Sequence, residues 1–209
     1  MAGAGLLVMA ILAGLSFFII DQQVFVEGNA RATASNLDAN RSAFTFAAVS
    51  FAIVAFLDVV VGVALWKFFN RTAPQFARVS GILRIAYAVV LAASLTGLFS
   101  ARTATEPAEV LDGISLFQRV WSAGLFIFGI HLVTIAMLLW MHRAAPRWLG
   151  VLVAISGLGY ILDSVIEVAF EDSGFSISAF TFVGEVVLLI WLLWRGGYAE
   201  KSSQRPATE

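Results

Sequence analysis

Residues 44–69 read FTFAAVSFAIVAFLDVVVGVALWKFF, an apolar run interrupted by two charged residues, Asp58 and Lys67. An α-helix needs about 20 apolar residues to cross the hydrocarbon core of a bilayer. This run exceeds that length, so it is able to span the membrane with some tilt. The run therefore predicts a transmembrane helix that carries a carboxylate at membrane depth.

The same pattern recurs along the rest of the chain. Five further spans are predicted at about 2–20, 78–99, 114–141, 148–170 and 177–194. Short proline-containing turns separate some of them, at 70–74 and 142–147, and longer polar connectors lie at 21–41 and 100–112. The first run lacks the basic start and the small-x-small cleavage site of a signal peptide, so we interpret it as a span. The sequence predicts an all-α, polytopic transmembrane bundle of six spans in one domain, 1–198, followed by a polar cytoplasmic tail, 199–209.

Composition supports lipid as the solvent of this chain. The sequence is 60% apolar and 13% charged, whereas a soluble domain carries about 25% charged residues. It has no cysteine, which excludes disulfides, zinc–thiolate sites and iron–sulfur ligation. With two histidines and a net charge of −1, we expect no metal, no cofactor and no nucleic-acid partner.

The distribution of lysine and arginine predicts the orientation. Eight of them lie on the side of the termini and the two short turns, and four lie on the opposite side. The positive-inside rule then places both termini in the cytoplasm. Four tryptophans near span ends fit an interfacial belt on that side: Trp66, Trp148, Trp191 and Trp194.

Asp58 and Arg84 are the first pair of candidate functional residues. Charged side chains at membrane depth cost about 2.5–3.5 kcal/mol each on insertion scales, so they face the bundle interior and find partners. The short turn between spans two and three makes these spans antiparallel neighbours, and we predict an Asp58–Arg84 ion pair. One interpretation is that the pair only holds two helices together, and the other is that Arg84 binds an anionic headgroup or substrate.

A second group of candidates lies on the last three spans. Tyr160, Asp163 and Glu167 are spaced to share one helix face, and Glu185 lies in the adjacent span at the depth of Asp163. Such a cluster suits the handling of protons or cations, or general acid–base chemistry; alternatively these carboxylates are solvated or hydrogen-bonded to neighbouring helices. His131, midway along span four, is either a packing residue or a member of a proton relay.

Several short stretches together resemble one known family. They occur in this order: Ala34–Asn40, Leu57–Val61, Arg84, Phe128–Leu132, Pro146–Leu152, Gly157–Asp163 and Gly184–Glu185. The combination is similar to domain-of-unknown-function family 4386, a group of uncharacterised multi-pass membrane proteins of bacteria. The resemblance covers nearly the whole chain and implies a protein of the bacterial inner membrane. It implies no activity.

Three hypotheses about function follow. The first is a polar intramembrane site, built from Asp58, Arg84, His131, Tyr160, Asp163 and Glu185, that binds a small or lipid-like ligand or conducts protons or ions. The second is a non-catalytic subunit, with a protein partner or as a homo-oligomer, whose buried charges only stabilise the bundle. The third is an intramembrane lipid-modifying hydrolase, which is disfavoured because the sequence shows no nucleophile motif.

Overall fold

The chain folds into a helical bundle. The computed structural model describes residues 2–142, 145–169 and 183–203, and within these ranges it contains helices and connecting turns. The α-helices are α1 (Ala2–Phe18), α2 (Ala30–Ala39), α3 (Arg41–Phe69), α4 (Pro74–Thr103), α5 (Pro107–Met141), α6 (Arg147–Ala169) and α7 (Val183–Ser203). A π-helical segment, Ile19–Val24, continues α1 without a break.

Five helices are long and apolar enough to cross a membrane. They are Gly3–Val24, Arg41–Phe69, Pro74–Thr103, Pro107–Met141 and Arg147–Ile166, and α7 adds a shorter apolar helix, Val183–Trp194. The predicted class, an all-helical multi-pass membrane protein, is confirmed. The sixth span and the inward orientation of both termini stay predictions. Residues 170 and 177–182, which were assigned to spans, lie outside the described residues, as does most of the predicted tail, residues 204–209.

The helices continue past the apolar stretches that predict them. Pro107 occupies the first turn of α5, where its missing N–H costs nothing, so the predicted polar loop 100–112 shrinks to residues 104–106. The predicted connector 21–41 likewise contains the π-helical segment and α2. Hydropathy locates the lipid-facing part of a helix, whereas hydrogen bonding and caps decide where the helix ends.

Helix α2 is hydrogen-bonded back onto the end of the first span. Asn29 caps it by accepting from the amide of Ala32 at 3.0 Å. The Thr33 hydroxyl accepts from the Val26 amide at 3.0 Å, and the Asn36 side-chain amide donates to the Val24 carbonyl at 3.3 Å. These bonds replace a flexible connector with a fixed helix that packs on the start of α5.

The six long helices form a ring in chain order. Each of α1, α3, α4, α5 and α6 packs on the next, and α7 packs on both α6 and α1, which closes the ring. The short turn 70–73, the end of α5 and the start of α6 define one end of the bundle, here called the turn end. The opposite end carries the connectors 25–29 and 104–106 and is called the loop end.

Glycine pairs set the spacing between neighbouring helices. A methyl group on Gly129 of α5 would lie 2.6 Å from the Gly157 carbonyl oxygen of α6, and one on Gly157 would lie 2.7 Å from the Gly129 carbonyl. Gly97 of α4 and Gly113 of α5 face each other in the same way. Small residues allow such close backbone approach in membranes, where apolar surface alone does not distinguish a helix from lipid.

We expect Gly129→Ala to destabilise the bundle, because its methyl group has no space against Gly157. Overpacking of this kind costs about 1–3 kcal/mol, and it outweighs the gain in helix propensity of up to about 1 kcal/mol. Gly14→Ala is the matched control, since a methyl group there meets nothing within 4 Å. Thermal unfolding in detergent should show a lower midpoint for Gly129→Ala only. Equal midpoints would contradict the assigned crossing of α5 and α6.

Candidate functional site

An ion pair between α3 and α4 lies at the centre of the bundle. The Arg84 Nη2 atom lies 2.8 Å from the Asp58 Oδ1 atom, and the two side chains are 3% and 1% exposed. The predicted Asp58–Arg84 pair is therefore present. Among the described residues, Asp58 Oδ2 and Arg84 Nε have no hydrogen-bond partner.

His131 of α5 holds the other side of the guanidinium. Arg84 Nη1 lies 3.1 Å from His131 Nε2. Arginine only donates hydrogen bonds, so Nε2 accepts and the ring proton resides on Nδ1. Nδ1 in turn donates to the Ser80 carbonyl oxygen at 2.9 Å, and the Ser80 hydroxyl lies 3.1 Å away. His131 is thus the neutral tautomer, and it binds both ends of one turn of α4.

Glu185 of α7 is a second acid near the same guanidinium. It lies within range of the Arg84 charge, and it shares a hydrogen bond with the Tyr160 hydroxyl of α6. Its Oε1 atom is inaccessible to solvent and has no hydrogen-bond partner among the described residues. Three helices therefore position the Asp58–Arg84–His131 group, and two others bring Glu185 and Tyr160 to it.

Aromatic rings surround the charged group. Phe128 packs on Tyr87, His131 and Tyr160, with ring centroids 4.9, 5.8 and 5.5 Å apart. The Arg84 guanidinium carbon lies 5.3 Å from the centroid of the Phe128 ring, a cation–π distance. The rings exclude water and lower the local dielectric constant, which strengthens each interaction between charges.

The site lies near the middle of the predicted spans. Asp58 is 11 residues before the end of α3, Arg84 is 10 after the start of α4, and His131 is 10 before the end of α5. At about 1.5 Å per residue these positions lie about 15–17 Å from the turn end. That distance places the site inside the roughly 30 Å hydrocarbon core of a bilayer.

The structure joins five of the six predicted site residues into one group. These are Asp58, Arg84, His131, Tyr160 and Glu185, whereas Asp163 is half-buried one turn along α6, within range of Tyr160. His131 bonds to α4 and not to the acids of α6 and α7. The side chain of Glu167 lies outside the described residues. Among the described residues, no group of three or more acidic, histidine or cysteine residues is arranged to hold a metal ion.

Two contacting residues were missed by the sequence reasoning. Ser80 and Phe128 complete the site, and Ser80 carries no signal of its own because serine is common in transmembrane helices. The sequence does place Ser80 near the site, because Ser80 lies one turn before Arg84 on the same helix face. Trp191, predicted to face the interface, is instead 7% exposed and packs edge-on against Phe68 and His142 at the turn end.

We expect removal of one member of the ion pair to cost more stability than removal of both. Asp58→Val or Arg84→Met leaves an uncompensated buried charge, which costs about 3–5 kcal/mol, whereas apolar replacement of both partners is often close to neutral. Unfolding of the single and double variants in detergent measures this difference. A double variant less stable than both single variants would contradict the assigned pair.

Comparison with known proteins agrees with the architecture. An uncharacterised protein of the archaeon Archaeoglobus fulgidus is 29% identical over 151 residues, which cover 72% of this chain and 84% of the relative. No solved structure matches the chain. Because this relative is archaeal, a bacterial source stays a prediction. The family model described as a domain of unknown function (DUF4386) matches residues 1–196, so the chain belongs to this family of uncharacterised proteins.

Proposed function

We propose that this protein binds and releases a proton at a carboxylate pair in the middle of the membrane and conducts protons through that site. The observation that carries the proposal is the imbalance of charge around Arg84. Two acids, Asp58 and Glu185, lie within range of this one guanidinium. His131 contributes no charge because its Nε2 atom accepts a hydrogen bond from Arg84.

One guanidinium compensates one carboxylate. A second ionised carboxylate in a low-dielectric site carries a large cost and is neutralised by binding a proton instead. In the observed arrangement Arg84 contacts Asp58, so Glu185 carries the proton. If Arg84 turns to Glu185, the proton moves to Asp58. The group therefore holds one exchangeable proton, and exchange of the arginine between the acids changes the site of that proton.

The arrangement of unpaired atoms supports such an exchange. Asp58 Oδ2, Arg84 Nε and Glu185 Oε1 are buried and without hydrogen bonds among the described residues. Groups of this kind are rare in native proteins and indicate a bound water, ion or ligand, or a functional role. Tyr160, which hydrogen-bonds Glu185, provides a phenol that is able to accept and donate a proton in turn.

The alternative is that the charges only stabilise the bundle. The observation in its favour is the continuous chain of contacts Ser80–His131–Arg84–Asp58, which joins α3, α4 and α5 through side chains that are at most 3% exposed. A purely structural site of this kind has no need of the second acid, Glu185. The two functions therefore differ in what they predict for Glu185.

We expect infrared spectroscopy to show the carbonyl stretch of a protonated carboxyl group, and we expect either Glu185→Gln or Asp58→Asn to remove it. Glu185→Gln removes the acid that holds the proton. Asp58→Asn releases Arg84 to pair with Glu185, which then ionises. Glu109→Gln is the control, because Glu109 is exposed in the first turn of α5 and should leave the band unchanged. A band that survives both variants would exclude the shared proton.

Conduction is tested separately, in liposomes that contain the purified protein and an enclosed pH indicator. A proton gradient should collapse faster with the native chain than with Glu185→Gln, while Glu109→Gln matches the native rate. Equal rates for native chain, Glu185→Gln and empty liposomes would exclude conduction.

A further inference from the structure

The two ends of the bundle differ in what separates them from the site. Toward the turn end, α3 and α4 cross at Gly62 and Gly81, where a methyl group on Gly81 would lie 3.1 Å from the Trp66 Cβ atom. Val61 and Leu65 fill the same side and are each 1% exposed. The buried hydroxyl groups there are already bonded: Ser80 to His131, Thr134 to the Ile130 carbonyl and Ser156 to the Leu152 carbonyl. Close apolar packing therefore closes this side.

Toward the loop end, polar groups continue from the site. Tyr87 lies one turn beyond Arg84 on α4 and within range of the Asp58 charge. Its hydroxyl accepts a hydrogen bond from the Trp121 Nε1 atom of α5 at 3.0 Å. Ser16 of α1 is fully buried on the same side, and its hydroxyl oxygen has no partner among the described residues. Buried hydroxyl groups with unused hydrogen-bonding capacity are suited to passing a proton.

An aromatic layer lies between the charged site and the loop end. It consists of Phe17, Phe51, Phe117 and Trp121, with neighbouring centroids between 5.1 and 5.7 Å apart. Phe51 lies seven residues before Asp58 on α3, a separation of about 10 Å along the helix. Phe17 is 43% exposed, so the outer edge of the layer reaches the surface of the protein.

The charges at the two ends of the bundle also favour access to the site from the loop end. Six carboxylates lie at the loop end: Asp21, Glu27, Asp38, Glu106, Glu109 and Asp112. Four arginines accompany them, at positions 31, 41, 102 and 119. At the turn end, the described charged side chains are the cations Lys67, Arg71, Arg78 and Arg147, all exposed. A surface with an excess of carboxylates attracts protons and cations, whereas a cationic surface repels them.

We propose that protons reach the site from the loop end through the aromatic layer, and that the hydrogen bond between Trp121 and Tyr87 holds this layer closed. The inference rests on the proposed proton site and adds its route of access. Trp121 belongs to the aromatic layer, and Tyr87 lies next to the site. This bond therefore joins the layer to the site whose access it controls. Loss of the bond leaves the Trp121 ring free to leave the layer.

The absence of cysteine from the chain makes this route accessible to a thiol-labelling experiment. Ser16→Cys places a single, nearly isosteric thiol at a fully buried position next to Phe17 of the aromatic layer. A membrane-impermeant thiol reagent is added to sealed vesicles of each orientation. Thr105→Cys, exposed in the 104–106 turn, identifies the vesicles that present the loop end. Ser94→Cys is the buried control, since Ser94 is 0% exposed and its hydroxyl is bonded to the Leu91 carbonyl.

We expect the reagent to reach Ser16→Cys slowly, and only in the vesicles in which Thr105→Cys is labelled. Adding Trp121→Phe, which keeps an aromatic ring but removes the N–H donor and the second ring of the indole, should raise the labelling rate about two- to tenfold, the effect of losing one neutral hydrogen bond. Tyr87→Phe removes the same bond from the other side and should give the same increase. Ser94→Cys should stay unlabelled in both backgrounds.

The proposal is overturned if neither variant changes the Ser16→Cys rate, or if labelling occurs from the turn end. Its failure is separable from that of the proton site. If the infrared band is lost in Glu185→Gln but the labelling rate is unchanged, the proton site is supported and control of access by the Trp121–Tyr87 bond is excluded. Loss of Thr105→Cys labelling when Trp121→Phe is added would show that Trp121→Phe misfolds the protein. The labelling rate of Ser16→Cys with Tyr87→Phe then tests the proposal.

Discussion

The structure depends on one electrostatic constraint, which is that a single guanidinium serves two carboxylates in a low-dielectric interior. Arg84 lies 2.8 Å from Asp58 and within range of Glu185. Water would compensate such an imbalance at little cost, but the middle of a bilayer does not. The site must therefore hold a proton, or the fold must bear an uncompensated charge. In the proposed function, this constraint makes the buried group a proton-binding site.

The scaffold fixes the two acids to different degrees. Asp58, Arg84 and His131 lie on α3, α4 and α5, which are long and closely packed along their lengths. Glu185 lies in the first turn of α7, next to Gly184, whose missing side chain lets α7 approach the Leu152 carbonyl of α6. One half of the site is thus built into the most extensive helix contacts of the ring, and the other half lies on α7, which has less extensive contacts with α6 and α1.

Much of this could be predicted from sequence for a clear physical reason. Long apolar runs and rare buried charges are strong signals in a membrane protein, because lipid allows few alternatives. The Asp58–Arg84 pair followed from a short turn that makes two spans antiparallel neighbours. What the sequence did not predict depends on three-dimensional arrangement. The rotation of α5 decides that His131 faces Ser80 and Arg84 instead of the acids. Trp191 is buried because the ring closes through α7, which no local pattern indicates.

His131 also bears on which acid holds the exchangeable proton. It accepts from Arg84 Nη1 while Asp58 contacts Nη2, so two of the three guanidinium nitrogens are directed toward α3 and α5. A move of Arg84 toward Glu185 breaks or bends both contacts, whereas Glu185 is held by one bond to Tyr160. In the proposed proton site, the arrangement with Arg84 on Asp58 is therefore the more stable one, which assigns the resting proton to Glu185. The same proposal makes His131 a positioning residue, since it biases the choice between the acids without contributing a charge of its own.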